Sequence, residues 1–344
     1  MNRTLKAGVI GLGFMGRSHI AHLEKLPYVQ VVAIADAEPA RLENEATVSG
    51  NIKLPAPSLD FGSVQRFHDG RDLIARADVD FVDICLPTDL HAEMTILAAE
   101  AGRHILVEKP MALTSEEAQR MVDAAQRNGV ELMVAQCVRF WPEYQYLKET
   151  VTSGRLGKLL KAEFTRRSSA PVWAWQRWMM DARRSGGAAL DLHIHDVDFV
   201  NHLLGTPVQL YATGARTPVT GGYDLITSMY TYADGASVTI DGGWYAAPGF
   251  GFGATYLAVF EGGIVRYNGT AQPTLMVYRN EGGVPETPAV AGDAYYNEIE
   301  FFTKCLAEDK SPATFLPASS SLQSLRLVEA EIRSIEAGAP VKMG

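Results

Sequence analysis

The opening of this chain constrains its fold more than any other stretch. A β-branched run, Lys6-Ala-Gly-Val-Ile10, leads into Gly11-Leu-Gly-Phe-Met-Gly16 and then a helical pattern over 18–26. A second apolar run, Val29-Gln-Val-Val-Ala-Ile-Ala-Asp36, ends on an acid. Strand, glycine turn, helix, strand and terminal acid is the order in which a dinucleotide-binding βαβ unit is built. Gly11 permits the tight turn, Gly13 lets a pyrophosphate approach the backbone, and Gly16 lets helix and strand pack closely. The loop, with Phe14 and Met15 at its helical end, presents unpaired N–H groups and a positive dipole end to phosphates. Asp36 is placed to accept hydrogen bonds from both adenosine ribose hydroxyls, and its charge repels a 2′-phosphate, so NAD is expected rather than NADP. A glycine-rich turn in some other α/β protein is the competing reading, and it requires none of the flanking strand, helix and acid.

At 344 residues the chain exceeds the usual single core, so two domains are expected, with the break near 138: 1–138 for the dinucleotide and 139–344 for substrate and oligomerisation. A net charge of −9 argues against nucleic acid or an anionic membrane surface as partner. No apolar run approaches the ~20 residues of a membrane span. The N-terminus runs directly into the first strand, which leaves no room for a signal peptide. Cys85, Cys137 and Cys305 are an odd, scattered set that reads as buried thiols in a reducing cytoplasm.

Strand and helix alternate through residue 137. A helix is expected over 39–48, then a Pro/Ser/Gly-rich insertion over 49–63, a short helix at 71–76, a strand at 79–87 and a helix at 89–101. A strand at 104–109 precedes Thr114-Ser-Glu-Glu117, a capping box for a helix ending at Asn128-Gly129, and a strand at 131–137 closes the series. That alternation implies a doubly wound parallel sheet, an α/β Rossmann domain. Beyond it the pattern changes to helices at 141–152 and 187–204, strands at 159–167, 208–215, 223–232, 236–240 and 255–261, and two closing helices at 294–308 and 319–337. Runs of strands with segregated helices describe an α+β domain with a large open, mainly antiparallel sheet.

Three features carry chemistry. Glu108-Lys109-Pro110 ends a strand of the parallel sheet, where ligands of such sheets bind, although an isolated lysine on a loop is more often plain surface. Asp191 and His195 stand i and i+4 on a helix, so they share a face, and a carboxylate beside an imidazole raises its pKa and fixes its tautomer for general-base work. Asp198 and His202 continue that stripe, which is equally the pattern of a solvated face. His193 and His195 are too close in sequence to share one ion from a helix, so no metal is expected. The loop Pro171-Val-Trp-Ala-Trp-Gln-Arg-Trp178 holds three tryptophans. They suit stacking on a sugar ring, a lid over the nicotinamide, or a core or subunit interface.

Together these motifs resemble the Gfo/Idh/MocA oxidoreductases, which include inositol and glucose–fructose oxidoreductases, over nearly the whole chain. The resemblance lies in Gly11 to Gly16 with Asp36, in Leu86-Pro-Thr-Asp-Leu-His91, in Ala101 to Pro110, in Gly187-Ala-Ala-Leu-Asp191 with His195 and Asp198, and in Tyr296-Asn-Glu-Ile-Glu-Phe-Phe. It implies Lys109, Asp191 and His195 as catalytic residues of the inositol 2-dehydrogenase kind, and Pro87, His91, Glu108 and Lys109 around the nicotinamide and its ribose. It also implies substrate contacts from the second domain and a homodimer or homotetramer. Two departures concern the substrate: Arg139 stands where the inositol branch often has paired arginines, and the Trp173/Trp175 loop lies outside the family pattern. The expected activity is NAD-dependent oxidation of a secondary alcohol of a cyclic polyol, sugar or sugar derivative, in the cytoplasm. The rivals are an NAD-dependent glycosidase working by transient oxidation and a non-catalytic sugar or nucleotide sensor.

Overall fold

The computed structural model describes residues 4–44, 48–50 and 52–343, and the chain divides into two compact units. The first comprises Met1–Cys137, Trp173–Trp178 and Tyr295–Leu322; the second comprises Val138–Val172, Met179–Ala294 and Gln323–Gly344. Two later segments, Trp173–Trp178 and Tyr295–Leu322, thus pack with the first unit. Aromatic contacts account for this: Phe302 meets Phe81 edge-on at 5.5 Å, and Trp173 meets Phe14 at 5.4 Å.

In the first unit, β1 (Leu5–Ile10), β2 (Val29–Ala35), β3 (Gln65–Phe67), β4 (Phe81–Ile84), β5 (His104–Glu108) and β6 (Leu132–Ala135) form a parallel sheet of order β3-β2-β1-β4-β5-β6. The inner strands β1, β4 and β5 are almost wholly buried, as a sheet covered on both faces requires. Its helices are α1 (Phe14–Leu23), α2 (Pro39–Leu42), α3 (Gly70–Arg76), α4 (His91–Glu100) and α5 (Ser115–Asn128). The α5 capping is as read: Thr114 Oγ1 accepts the Glu117 N–H at 3.2 Å, and Gly129 closes the helix at φ 64°. Helix α1 begins four residues earlier than its apolar pattern, directly on the glycine loop, with extended Gly13 as its N-cap. Helix α2 is short, and the rest of its expected span runs into 45–47, outside the described residues, as is 51 of the insertion and 1–3 of the N-terminus. Strand β3 was not expected: a three-residue edge strand with no apolar alternation leaves no periodic signal.

The second unit is built on α6 (Pro142–Ser153), β7 (Leu159–Ser169), α7 (Ala182–Ser185), α8 (Ile194–Leu204), β8 (Gln209–Arg216), β9 (Tyr223–Thr231), β10 (Ser237–Tyr245), β11 (Phe252–Phe260), β12 (Gly263–Asn268) and β13 (Leu275–Arg279). After these come α9 (Ala294–Ala307), which lies almost wholly in the first unit, and α10 (Ala318–Ala337) and β14 (Val341–Lys342). The sheet order is β13-β12-β11-β7-β10-β9-β8-β14, antiparallel except where β7 runs parallel to β10. Strands β7, β9 and β11 alternate buried with more exposed residues, which marks one face as core. Tyr144 on α6 anchors that core, with Phe199 at 4.8 Å and Tyr256 at 5.2 Å, both edge-on. Among the described residues no helix is long and apolar enough to cross a membrane.

Candidate functional site

The first unit places the glycine loop at the carboxyl end of β1, beside β4, where the strand order reverses direction. Ligands of such sheets bind there. Each glycine has its own steric reason. Gly11 takes φ +96°, and a Cβ there would stand 2.4 Å from the Cys85 carbonyl oxygen; a Cβ on Gly16 would stand 1.8 Å from the Gly11 carbonyl oxygen. Gly13 differs, because its nearest neighbour would be Arg41 Nη1 at 3.9 Å. The loop is thus pinned at both buried ends and open in the middle, at Gly13, Phe14 and Met15. That is the shape of a cradle for a pyrophosphate. Asp36 completes it. Its Oδ2 accepts the Leu12 N–H at 2.7 Å, its Oδ1 accepts the Glu38 N–H at 2.8 Å, and Arg41 Nη1 lies 3.3 Å from Oδ2. The loop, the open glycine and the fixed carboxylate fit the adenosine diphosphate half of a dinucleotide.

Lys109 follows β5 and is half-exposed, while the residues behind it are packed away. Glu108 Oε2 accepts the Lys109 N–H at 2.9 Å, and Glu108 Oε1 lies 3.1 Å from His19 Nε2. The other His19 nitrogen, Nδ1, lies 2.9 Å from Asp83 Oδ2, so this buried imidazole bridges two carboxylates. Burial alone would lower the His19 pKa, but Asp83 overrides it and the net shift is well upward. Glu108 is the mirror case: burial would raise it, and His19 carries it below the usual carboxylate range. Cys85, beside them with Sγ 3.6 Å from His19 Nδ1, is pushed up by burial first and Asp83 second, and is an unreactive thiol. His19, Asp83 and Cys85 could each offer a ligand atom to one point, but both His19 nitrogens already face carboxylates. Sequence reasoning missed His19 and Asp83, because residues 64 apart carry no spacing signal. Glu108 therefore faces inward and braces the backbone of Lys109. His91 is buried, with Nδ1 2.9 Å from the Pro110 carbonyl and Nε2 2.8 Å from the Leu86 carbonyl, tying together the loops after β4 and β5. Pro87, between those contacts, is half-exposed.

In the second unit, the expected continuous helix over 187–204 is instead a π-helical turn, Ala189–His193, running into α8. Such turns are rare and concentrate at functional sites. Asp191 lies in the turn and His195 just beyond it, and from Gly187 to Asn201 only His195 is not buried. The solvated-face reading of this stripe is corrected, because Asp191 and Asp198 are both buried and Asp198 forms a buried ion pair. Asp198 takes Arg139 Nε at 2.7 Å and Nη2 at 2.6 Å, and accepts from Ser324 Oγ at 2.8 Å. Asp196 takes Arg166 Nε at 3.0 Å and Nη2 at 2.9 Å. Arg139, expected at the substrate, is 1% exposed and committed to Asp198. His193 is structural as well: its Nε2 lies 3.0 Å from Glu331, and a Cβ on Gly242 of β10 would strike its ring at 2.8 Å. Burial opposes charging His193, but Glu331 outweighs it and the pKa rises. His202 goes the other way, lowered to about 4 by burial and then by Arg139 and Lys148.

Trp173 and Trp175 are not placed with the second unit's sheet. They belong to the first unit, Trp173 against Phe14 and Trp175 with the Arg41 guanidinium 5.4 Å from its ring centre.

Comparison with known proteins decides the lineage. Residues 5–136 match the family model described as the oxidoreductase family with NAD-binding Rossmann fold, and 144–266 match the GFO/IDH/MocA C-terminal domain. The chain belongs to the GFO/IDH/MocA oxidoreductase family. Among its GFO/IDH/MocA relatives, levoglucosan dehydrogenase of Pseudarthrobacter phenanthrenivorans is 33% identical over 70% of this chain and 67% of its own length. Inositol 2-dehydrogenase of Rhizobium meliloti is 28% identical over 96% of this chain and 97% of its own. The solved structure of a levoglucosan dehydrogenase complexed with NADH and L-sorbose shares the fold at a TM-score of 0.86, with 24% identity and 99% of each chain covered.

Proposed function

We propose that this GFO/IDH/MocA member is an NAD-dependent dehydrogenase that oxidises a secondary alcohol of a cyclic polyol, sugar or sugar derivative. The observation that carries the reading is the π turn that leaves His195 as the one accessible position in a buried stretch, with Asp191 inside the turn. Gly11, Gly13, Phe14, Met15, Gly16 and Asp36 hold the adenosine diphosphate half of the cofactor, with Pro87 and Lys109 toward the nicotinamide. When bound, NAD supplies the hydride acceptor. His195 takes the proton of the substrate hydroxyl. Asp191 orients that imidazole and stabilises its charged form. Lys109, its backbone braced by Glu108 and His19, donates a hydrogen bond to the reacting oxygen. The relatives named for levoglucosan and inositol support the substrate class.

His195→Ala tests the assignment. Loss of a positioned general base lowers kcat about 10²–10⁴-fold, with the NAD Kd nearly unchanged. Equal losses in kcat and NAD binding would remove His195 as the base. We also place the enzyme in the cytoplasm, supported by three cysteines that form no disulfide with one another. We assign it a homo-oligomeric state, supported by Leu160 and Met229, which remain 44% and 50% exposed on the second unit's sheet. Light scattering of the purified protein reads that state directly, and a monomeric mass at micromolar concentration would contradict it.

A further inference from the structure

The segment Trp173–Trp178 has no part in the chemistry above, yet it packs with the dinucleotide unit. Its backbone is strained: Gln176 and Arg177 both adopt left-handed conformations, at φ 48° and 53°. Side-chain-bearing residues hold that conformation at an energetic cost, and only where their surroundings impose it. Gln176 and Arg177 are themselves exposed, and the tryptophans before them make the contacts with the cofactor cradle. Trp173 meets edge-on the ring of Phe14, the first residue of α1. Phe14 is confined from another side by Gly50, where a Cβ would stand 2.3 Å from its ring. Trp175 backs the guanidinium of Arg41 at 5.4 Å. Arg41 Nη1 in turn lies 3.3 Å from Asp36 Oδ2 and 3.9 Å from the open side of Gly13. One cation therefore stands between the acid expected at the ribose and the open glycine expected under the phosphates.

We propose that Trp173–Trp178 clamps the adenosine diphosphate half of the cofactor site, and that Arg41, backed by Trp175, reads phosphate there and lets the site accept NADP beside NAD. The physical reasoning is charge balance. Asp36 alone would repel a 2′-phosphate, whereas Asp36 with a guanidinium beside it presents both an acceptor for the 2′-hydroxyl and a partner for the phosphate. Trp175 keeps Arg41 from swinging into solvent, through a cation–π contact that strengthens as the site is desolvated. The inference rests on the NAD-dependent reading above.

Calorimetric titration of the full-length protein with NAD, NADP, ADP-ribose and nicotinamide mononucleotide separates the two ideas. Trp175→Ala is expected to weaken NAD and ADP-ribose about tenfold, the scale of one lost cation–π contact in a desolvated site, and to leave nicotinamide mononucleotide unchanged. Trp175→Phe should recover most of that loss, which sets the clamp apart from a folding defect. Arg41→Ala should cost NADP about tenfold more than NAD, as expected for a lost charge-assisted pair. ADP-ribose affinity in Trp175→Ala within twofold of wild type would overturn the clamp. Equal loss of NAD and NADP in Arg41→Ala would overturn the phosphate-reading role. Failure of wild-type protein to bind NAD at all would instead overturn the cofactor reading on which both depend.

Discussion

The cofactor cradle and the catalytic turn are held in shape by different forces. In the cradle the working surface is backbone: Gly11 and Gly16 are dictated by contacts with neighbouring carbonyl oxygens, and Gly13 is left open. In the catalytic segment the working groups are side chains on a π turn and at the start of α8, held from behind by the buried pairs Arg139–Asp198 and Arg166–Asp196 and by His193–Glu331. A glycine loop is therefore sensitive to added volume, whereas the turn is sensitive to lost charge.

The strongest test of that contrast is Arg139→Ala. Removing one partner of a buried ion pair leaves Asp198 uncompensated and should cost about 3–5 kcal/mol in urea unfolding. Replacing both partners with apolar residues should recover much of that loss. A single-variant cost below about 1 kcal/mol, the range of a surface pair, would show that the turn does not depend on the pair. A smaller effect separates two glycines of one loop. Gly16→Ala, whose methyl would meet a backbone oxygen, should destabilise the protein by about 1–3 kcal/mol. Gly13→Ala should leave stability within about 0.5 kcal/mol and weaken NAD binding alone. Equal stabilities for the two variants would dissolve the distinction between pinned and open positions.

Asp36→Ala probes the cradle electrostatically. Losing a carboxylate acceptor should raise the NAD Kd about tenfold and narrow its gap to NADP. An unchanged cofactor preference would mean that Asp36 is not at the ribose. The mildest effect concerns pH. His202 has its folded pKa depressed to about 4 from an ordinary 6.5, so it favours the folded state when neutral. Its contribution is complete above pH 6.5 and is lost as the pH falls from there toward about 4. The Tm of His202→Leu should therefore fall less than that of wild type across that interval, and parallel profiles would contradict the shift.

This division also explains what could be read from the amino-acid order. The glycine loop, Asp36 and the Thr114 cap were legible because local backbone geometry selects those residue types at fixed spacings. The Asp191/His195 pairing was legible as a spacing, but the π turn was not, since it arises where the chain packs against β9 and β10. Asp198 and His202 resembled a polar face because a helical pattern cannot tell a solvated charge from one paired across the fold. His19–Asp83–Glu108 and Trp175–Arg41 were invisible for the same reason: each joins residues far apart in sequence. Strands β3, β12, β13 and β14 escaped through brevity or weak alternation.

The central claim is that this chain oxidises a sugar or polyol hydroxyl with NAD. Purified protein incubated with NAD and a panel of inositols, aldoses and anhydrosugars, followed by the near-ultraviolet absorbance of NADH, tests it most directly. The account predicts NADH formation with one stereochemical group of substrates and its loss in His195→Ala. No NADH with any of them, together with aglycone release from aryl glycosides, would contradict it and make the chain a glycosidase.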